Sequence, residues 1–343
     1  MKNFLAARNV KSAKVSLLDR FLFKKEVPVG PEGKYLAFHT AFPAEPPIPE
    51  MRIYEFDGAN FTWKASTATE GKIRDIAFTW DGNYIAIAQE AEPYVKVYAW
   101  DGENLSLVAS YSTPLAAHAV GWAPNGQFLA VGHDGGDGLS LLEFTGDSLV
   151  FKDSLAETWT TKAVWWFGSG DKLIAASSGK NKVKVVAWDG TELTELASYS
   201  LPDNPLDAHL APNEEFIPVA HKGDPYFTLL KWDGTNLTKA DDFLLSGNGR
   251  CTQWHPNQDV IFAGSINSPS QYILHWDGTN LTEKDTLNKS ATLWRCSWRV
   301  QGDFVAYASS TGDYVVVCSW DGENISVHTI IDVPNPSYAI AWW

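Results

Sequence analysis

Seven residues stand 44 positions apart: Arg74, His118, Lys162, Leu206, Arg250, Trp294 and Tyr338. Three are permanently cationic, one titrates near neutrality, and two are aromatic. In a chain of net charge −14 such a column is selective. Guanidinium and ammonium groups bind oxyanions, and aromatic faces bind cations or sugars. Gathered in one place, Arg74, His118, Lys162, Arg250, Trp294 and Tyr338 would bind an anionic or sugar-like ligand. The competing expectation is a set of solvated rim residues, or of cations neutralising nearby acids such as Asp75 and Asp207.

Other reactive side chains point to scaffold roles. Thr40, Gln89, His133, Ser177, His221, Ser265 and Ser309 form a second column, whose polar groups are expected to bond loop backbone. His133 and His221 have no evident third ligand for a metal. Asp134 and Asp137 flank two glycines without the EF-hand spacing, so a plain loop is expected. Cys251, Cys296 and Cys318 give neither an even disulfide framework nor a metal spacing, and read as buried thiols. There is no Gly-X-Ser-X-Gly elbow, no phosphate-cradling loop and no paired His on a helix. No catalytic residue, metal or cofactor is predicted.

The element that must position these columns is a repeat. Trp-Asp-Gly occurs at Trp100, Trp188, Trp232, Trp276 and Trp320, with looser copies Phe56-Asp57-Gly58 and Phe144-Thr145-Gly146, again every 44 residues. Within one period, Ile73–Phe78, Tyr84–Gln89, Tyr94–Trp100 and Leu105–Ser112 read as strands, separated by turns such as Asp81-Gly82 and Asp101-Gly102. A period of about 40–45 residues with four strands predicts propeller blades. The expected fold is all-β: a seven-bladed β-propeller of four-stranded antiparallel blades, with strands a to d running from channel to rim.

Three further expectations follow from the alignment of the repeats. The columns of Phe78 and Phe56 absorb ten of the 16 Trp residues, so those indoles should pack between blades rather than form a carbohydrate platform. The Gly82 position becomes Glu214 and Gln258 in two blades, where the a–b turn should change type. The chain ends in an unaccompanied strand a, Ser337 to Trp343, and begins with an unaccompanied strand b at Lys34 to Phe38. The C-terminal strand should therefore join the N-terminal blade and close the ring. That blade carries an insertion at Ala41-Phe42-Pro43-Ala44-Glu45-Pro46-Pro47, expected to protrude as a b–c loop outside the ladder.

Residues 27–343 are assigned to the propeller and 1–26 to a basic arm. The arm holds seven Lys or Arg against Asp19 and Glu26, a net of +5, leaving −19 on the ring. Val15, Leu18, Phe21 and Leu22 fall at helical spacing, which suits either packing on the ring or docking to a partner. An acidic ring argues against general nucleic-acid affinity. No apolar run reaches the length of a membrane span, and no secretory signal pattern is visible.

Trp-Asp closing strand c every 44 residues, with Ala123-Pro124-Asn125-Gly126 as the a–b turn, resembles the WD40 propellers over residues 27–343. The pattern departs from that family in lacking a Gly-His before strand a. The Trp-Asp-Gly-Thr-Asn-Leu turns and Gly223-Asp224-Pro225-Tyr226-Phe227-Thr228 are similar to stand-alone propellers encoded among virion genes of tailed phages. The resemblance implies a rigid, non-catalytic binding module. The expected setting is the virion, with a tail, fibre or decoration role, other protein subunits as partners through residues 1–26, and a host-surface or anionic ligand at the variable loop face. The alternatives are a propeller hydrolase of the lactonase type and a cytoplasmic WD40 interaction scaffold. Within the chain, a–b and c–d turns are nearly uniform, whereas b–c loops differ (Glu90-Ala91-Glu92-Pro93 against Ser178-Gly179-Lys180-Asn181), so binding is expected on the b–c side.

Overall fold

A computed structural model describes residues 33–42, 48–156, 159–289 and 291–343. The arm, 1–26, lies outside the described residues, as does most of the insertion in the first blade. Seven four-stranded antiparallel sheets form the ring. Blades 2 to 7 occupy 73–111, 117–155, 161–200, 205–244, 249–287 and 293–331. Blade 1 combines Tyr35–Phe42, Ile48–Phe56 and Phe61–Ala68 with the C-terminal strand Ile340–Trp342.

The closure is the expected one, with a shorter strand. Leu36, Ala37 and Phe38 face Trp342, Ala341 and Ile340. Tyr35 and Trp343 exchange both backbone hydrogen bonds, at 2.6 and 2.8 Å. Trp343 then stacks on Tyr35 and Phe78. Its indole lies where a Cβ on Gly82 would be, and Gly82 also has φ +70°, so glycine is required there on both counts.

Core and turns follow from the repeat. Every Trp of the two columns is buried, at 3–9 % exposure. The apolar clusters straddle neighbours: Ile174, Val183 and Val185 of blade 4 pack with Leu210, Ile217 and Trp232 of blade 5. Several indoles also tie blades by hydrogen bonds; Trp166 Nε1 donates to the Gly121 carbonyl at 2.9 Å. The Asp of Trp-Asp-Gly organises the c–d turn. Asp277 Oδ1 accepts the N–H groups of Thr279 and Asn280, both at 2.7 Å, and Gly278 follows at φ +95°. Those backbone bonds hold the Asp277 carboxyl below its ordinary range.

Two expectations need correction. Glu214 does not change its turn: it takes φ +61° and keeps the bond of its N–H to Ala211 O at 2.9 Å, as Gly82 does to Thr79 O. Its carboxylate also accepts the Gly168 N–H, a contact that ties this turn to blade 4. The insertion does not leave the ladder at Ala41. Ala41 pairs with Pro49 and Phe42 with Ile48, so the first hairpin is extended before the undescribed 43–47.

One local feature prepares the site. In blades 2 to 7 strand a carries a bulge. Ile73 faces Gln89 and Asp75 faces Ala88, which leaves Arg74 without a cross-strand partner. His118, Lys162, Leu206, Arg250 and Trp294 hold the same place. A bulged residue leaves the pleat and re-aims its side chain. The column singled out by spacing is thus the column of bulged residues.

Candidate functional site: the channel mouth

The bulge residues converge at the channel mouth on the b–c side. Trp294 is the hub of one half. The Arg250 guanidinium lies 4.5 Å from an indole centroid and that of Arg74 lies 5.3 Å from it. Arg74 is also 5.4 Å from the Tyr338 ring, which meets Trp294 edge-on at 5.2 Å. Lys72 approaches the other residues through Tyr338, at 5.0 Å. Arg74 forms an ion pair with Glu90 of its own b–c loop. Beneath them His39 is buried; desolvation, reinforced by Arg74 and Lys72, lowers its pKa to about 3 and keeps it neutral.

The other half is built on Asp134. His118 Nε2 lies 2.9 Å from Asp134 Oδ2, out of line for a good hydrogen bond, and Lys162 Nζ lies 3.9 Å from Oδ1. Thr160 donates to the same carboxylate at 2.9 Å. Burial tends to raise the Asp134 pKa, but the His118 and Thr160 contacts and the Lys162 charge outweigh it and hold it low. Burial lowers Lys162 to about 8, against the pull of Asp134. Burial, with Lys162 beside it, also depresses His118. Leu206 closes the gap between the halves without a charge. All seven positions are half-buried.

The acids Asp75 and Asp207 are not neutralised by this ring. Arg295, one position beyond the bulge in blade 7, does that from across the channel. Its Nε is 3.6 Å from Asp75 and its Nη1 3.9 Å from Asp207. The same guanidinium donates to the Lys162 carbonyl at 2.8 Å and, more weakly, to those of His118, Leu206 and Trp294 at 3.4 Å. Arg295 therefore fills the channel just below the mouth and ties four ring residues together. Asp75 and Asp207 in turn accept backbone N–H groups of the next blade, Val120 at 3.1 Å and Thr252 at 3.0 Å. Burial raises both carboxyls, Asp207 to about 6, while Arg295 opposes the shift. Arg295 keeps its charge because these two acids outweigh its desolvation.

Spacing alone missed Arg295, although its column reads Asp75, Ala119, Ala163, Asp207, Cys251, Arg295 and Ala339. One large cation among small residues and two acids is the pattern of a single side chain spanning a narrow lumen. A second missed group lies nearer the opposite end. Trp165 is 41 % exposed on the inner strand of blade 4, with its ring 4.0 Å from that of His209. Gln253 donates to His209 Nε2 at 3.1 Å and accepts the Trp298 N–H.

The remaining candidates have structural partners. His133 bonds Ser140 at 2.9 Å, and His221 bonds Thr228 at 3.0 Å, which bonds Asp242 at 2.7 Å. Asp137 accepts from Ser154 at 2.6 Å. Gln89, Ser265 and Ser309 bond b–c loop carbonyls, as their column predicts. Among the described residues no group of three or more His, Cys, Asp or Glu could hold a metal ion. Among them, too, no helix is long and apolar enough to cross a membrane.

No family model and no curated protein matches the chain. Solved structures do resemble it. A protein from Bacteroides uniformis provisionally named a 6-phosphogluconolactonase is 11 % identical, with TM-score 0.77, over 90 % of this chain and 99 % of its own. A functionally unknown protein from Desulfotomaculum acetoxidans is 10 % identical, with TM-score 0.75, over 90 % and 98 %. The Cps50 (Swd1) β-propeller domain of Myceliophteria thermophila is 14 % identical, with TM-score 0.68, over 84 % and 94 %. At such identities the likeness establishes the propeller fold and nothing finer.

Proposed function

We propose that the chain is a non-catalytic binding module whose channel mouth receives an anionic group of its partner. One observation carries this reading: six consecutive blades direct their bulge residue to the same mouth, and three of the six are Arg or Lys. The arrangement suits recognition, because Arg295 already engages Asp75 and Asp207, so the bulge cations are not consumed by those two acids. Desolvated guanidiniums held by aromatic faces are pre-organised for oxyanions. The test is the triple substitution R74A/K162A/R250A, measured for binding to an immobilised sulfated polysaccharide and for melting temperature. Lost binding with unchanged melting is expected; unchanged binding sinks the reading. The tailed-phage likeness makes the virion the proposed setting, with docking through residues 1–26; stoichiometric co-sedimentation with particles, lost on deleting that arm, is the expected result.

A second reading has one observation in its favour. The close approach of His118 to Asp134, beside Lys162, supplies a general-base pair at the mouth, and solved propellers of this shape carry a lactonase name. Turnover of 6-phosphogluconolactone by the wild type, abolished in H118A, would replace the binding reading with this one.

A further inference from the structure

We infer, within that reading of the mouth, that its oxyanion subsite is the Arg250 fork laid on Trp294, with Arg74 over the same indole and Lys72 over the adjoining Tyr338 ring, and that it takes the dianion of a phosphate monoester. The inference starts from where the mouth cations find their counter-charges. Arg74 and His118 each meet an acid 16 residues later in the same blade, Glu90 and Asp134. The equivalent of those acids in blade 6 is Ile266, so the repeat itself withholds a partner from Arg250. Among the described residues no carboxylate lies within ion-pair distance of Arg250 or of Lys72. Lys162 shares Asp134, and Arg295 is committed to Asp75 and Asp207.

Geometry prepares Arg250 for a ligand. Stacking at 4.5 Å on Trp294 holds the guanidinium, and its Nε is covered. Its terminal nitrogens donate to no described residue, so the outer fork is left to face the mouth. A fixed planar fork matches two oxygens of one anion. The same stacking argues against a sugar, since the indole already engages Arg250 and Arg74. Charge selects the valence. Arg74 is balanced by Glu90 and His39 is neutral, so among the described residues this half of the mouth keeps two uncompensated positive charges, on Arg250 and Lys72. A single carboxylate would leave one of them unmatched, whereas a phosphate monoester carries about −1.5 to −2 at neutral pH.

The probes are inorganic phosphate and methyl phosphate, followed by calorimetry and by phosphorus NMR on the full chain, with acetate as the monoanionic comparator. Phosphate is expected to bind more tightly than acetate. R250A should weaken it by about tenfold or more, the loss expected of a charge-assisted fork. R250K keeps the charge and the packing but not the fork, and should lose several-fold; K231A, a cation lying over Phe216 away from the mouth, should stay within about twofold. Melting curves guard against misfolding, and R250K keeps the test valid if R250A does not fold. Retained phosphate affinity in R250A, or an equal loss in K231A, overturns this subsite and leaves the mouth as the binding surface. Acetate binding as tightly as phosphate overturns the dianion. No phosphate binding at all, together with sulfated-polymer binding that R74A/K162A/R250A abolishes, also overturns the subsite alone. Only the triple variant binding polymer like the wild type takes the broader reading down with it.

Discussion

Replacing Arg295 with Met removes the cation that reaches both channel carboxylates. Met keeps much of the stem volume, so the change is electrostatic more than steric. Asp75 and Asp207 then remain desolvated with only backbone N–H groups as partners. Breaking a buried ion pair by removing one member costs about 3–5 kcal/mol, and the four carbonyl contacts of the guanidinium go with it. At about 2.1 cal/mol/K per residue, a ring of roughly 300 residues unfolds with an entropy near 0.6 kcal/mol/K, so 4 kcal/mol is about 6–7 °C. Calorimetry at pH 7.5 and urea midpoints read the loss. A control isolates the cause: D75N/D207N/R295M has no uncompensated charge in the channel and should regain most of the lost stability. If R295M melts within about 1 °C of the wild type, or if the triple variant is no better than the single, the channel network does not hold the ring together as argued.

Burial raises Asp207 to about 6, so between pH 4 and 6 the folded chain holds a proton that the unfolded chain releases. Its contribution to stability therefore falls as pH rises through that window, and urea midpoints of D207N should lack this component relative to the wild type. His39 and His209 behave oppositely: burial lowers each to about 3, so below pH 6.5 the unfolded chain takes up protons that the folded chain refuses. Each should cost about 2 kcal/mol by pH 5, and H209Q or H39Q should flatten the acid limb of the same series. Deleting residues 341–343 removes the strand that pairs with Leu36 and Ala37 and the Trp343 ring that packs on Gly82. Loss of a single cooperative melt and rapid proteolysis of blade 1 are the expected results, read by circular dichroism and limited trypsin digestion.

The architecture was legible because a 44-residue period leaves little freedom. Each Trp-Asp-Gly reports a c–d turn through a side-chain bond made within three residues, and local bonds of that kind are written locally. The same holds for the polar column closing strand b. Glu214 escaped because a left-handed non-glycine depends on what else holds it, here a contact with blade 4. Ala41 and Phe42 escaped because a Pro-rich run says where pairing must fail and not how far the ladder extends before it.

By itself, the sequence determined the number of blades, the strand that closes the ring, the packing role of ten Trp residues and the one column that differs in charge from its surroundings. Periodicity carries such facts, since every copy repeats the same local bonds. Only the tertiary structure decided which cations are already spoken for. Arg295 meets Asp75, Asp207 and the Lys162 carbonyl across a lumen, from residues 88 to 220 positions away. Coulomb and hydrogen-bond energies depend on separation in space, and only ring closure brings distant blades within reach. The same closure leaves Arg250 on Trp294 with no carboxylate of the described residues beside it, and that gap in charge is what a ligand would fill.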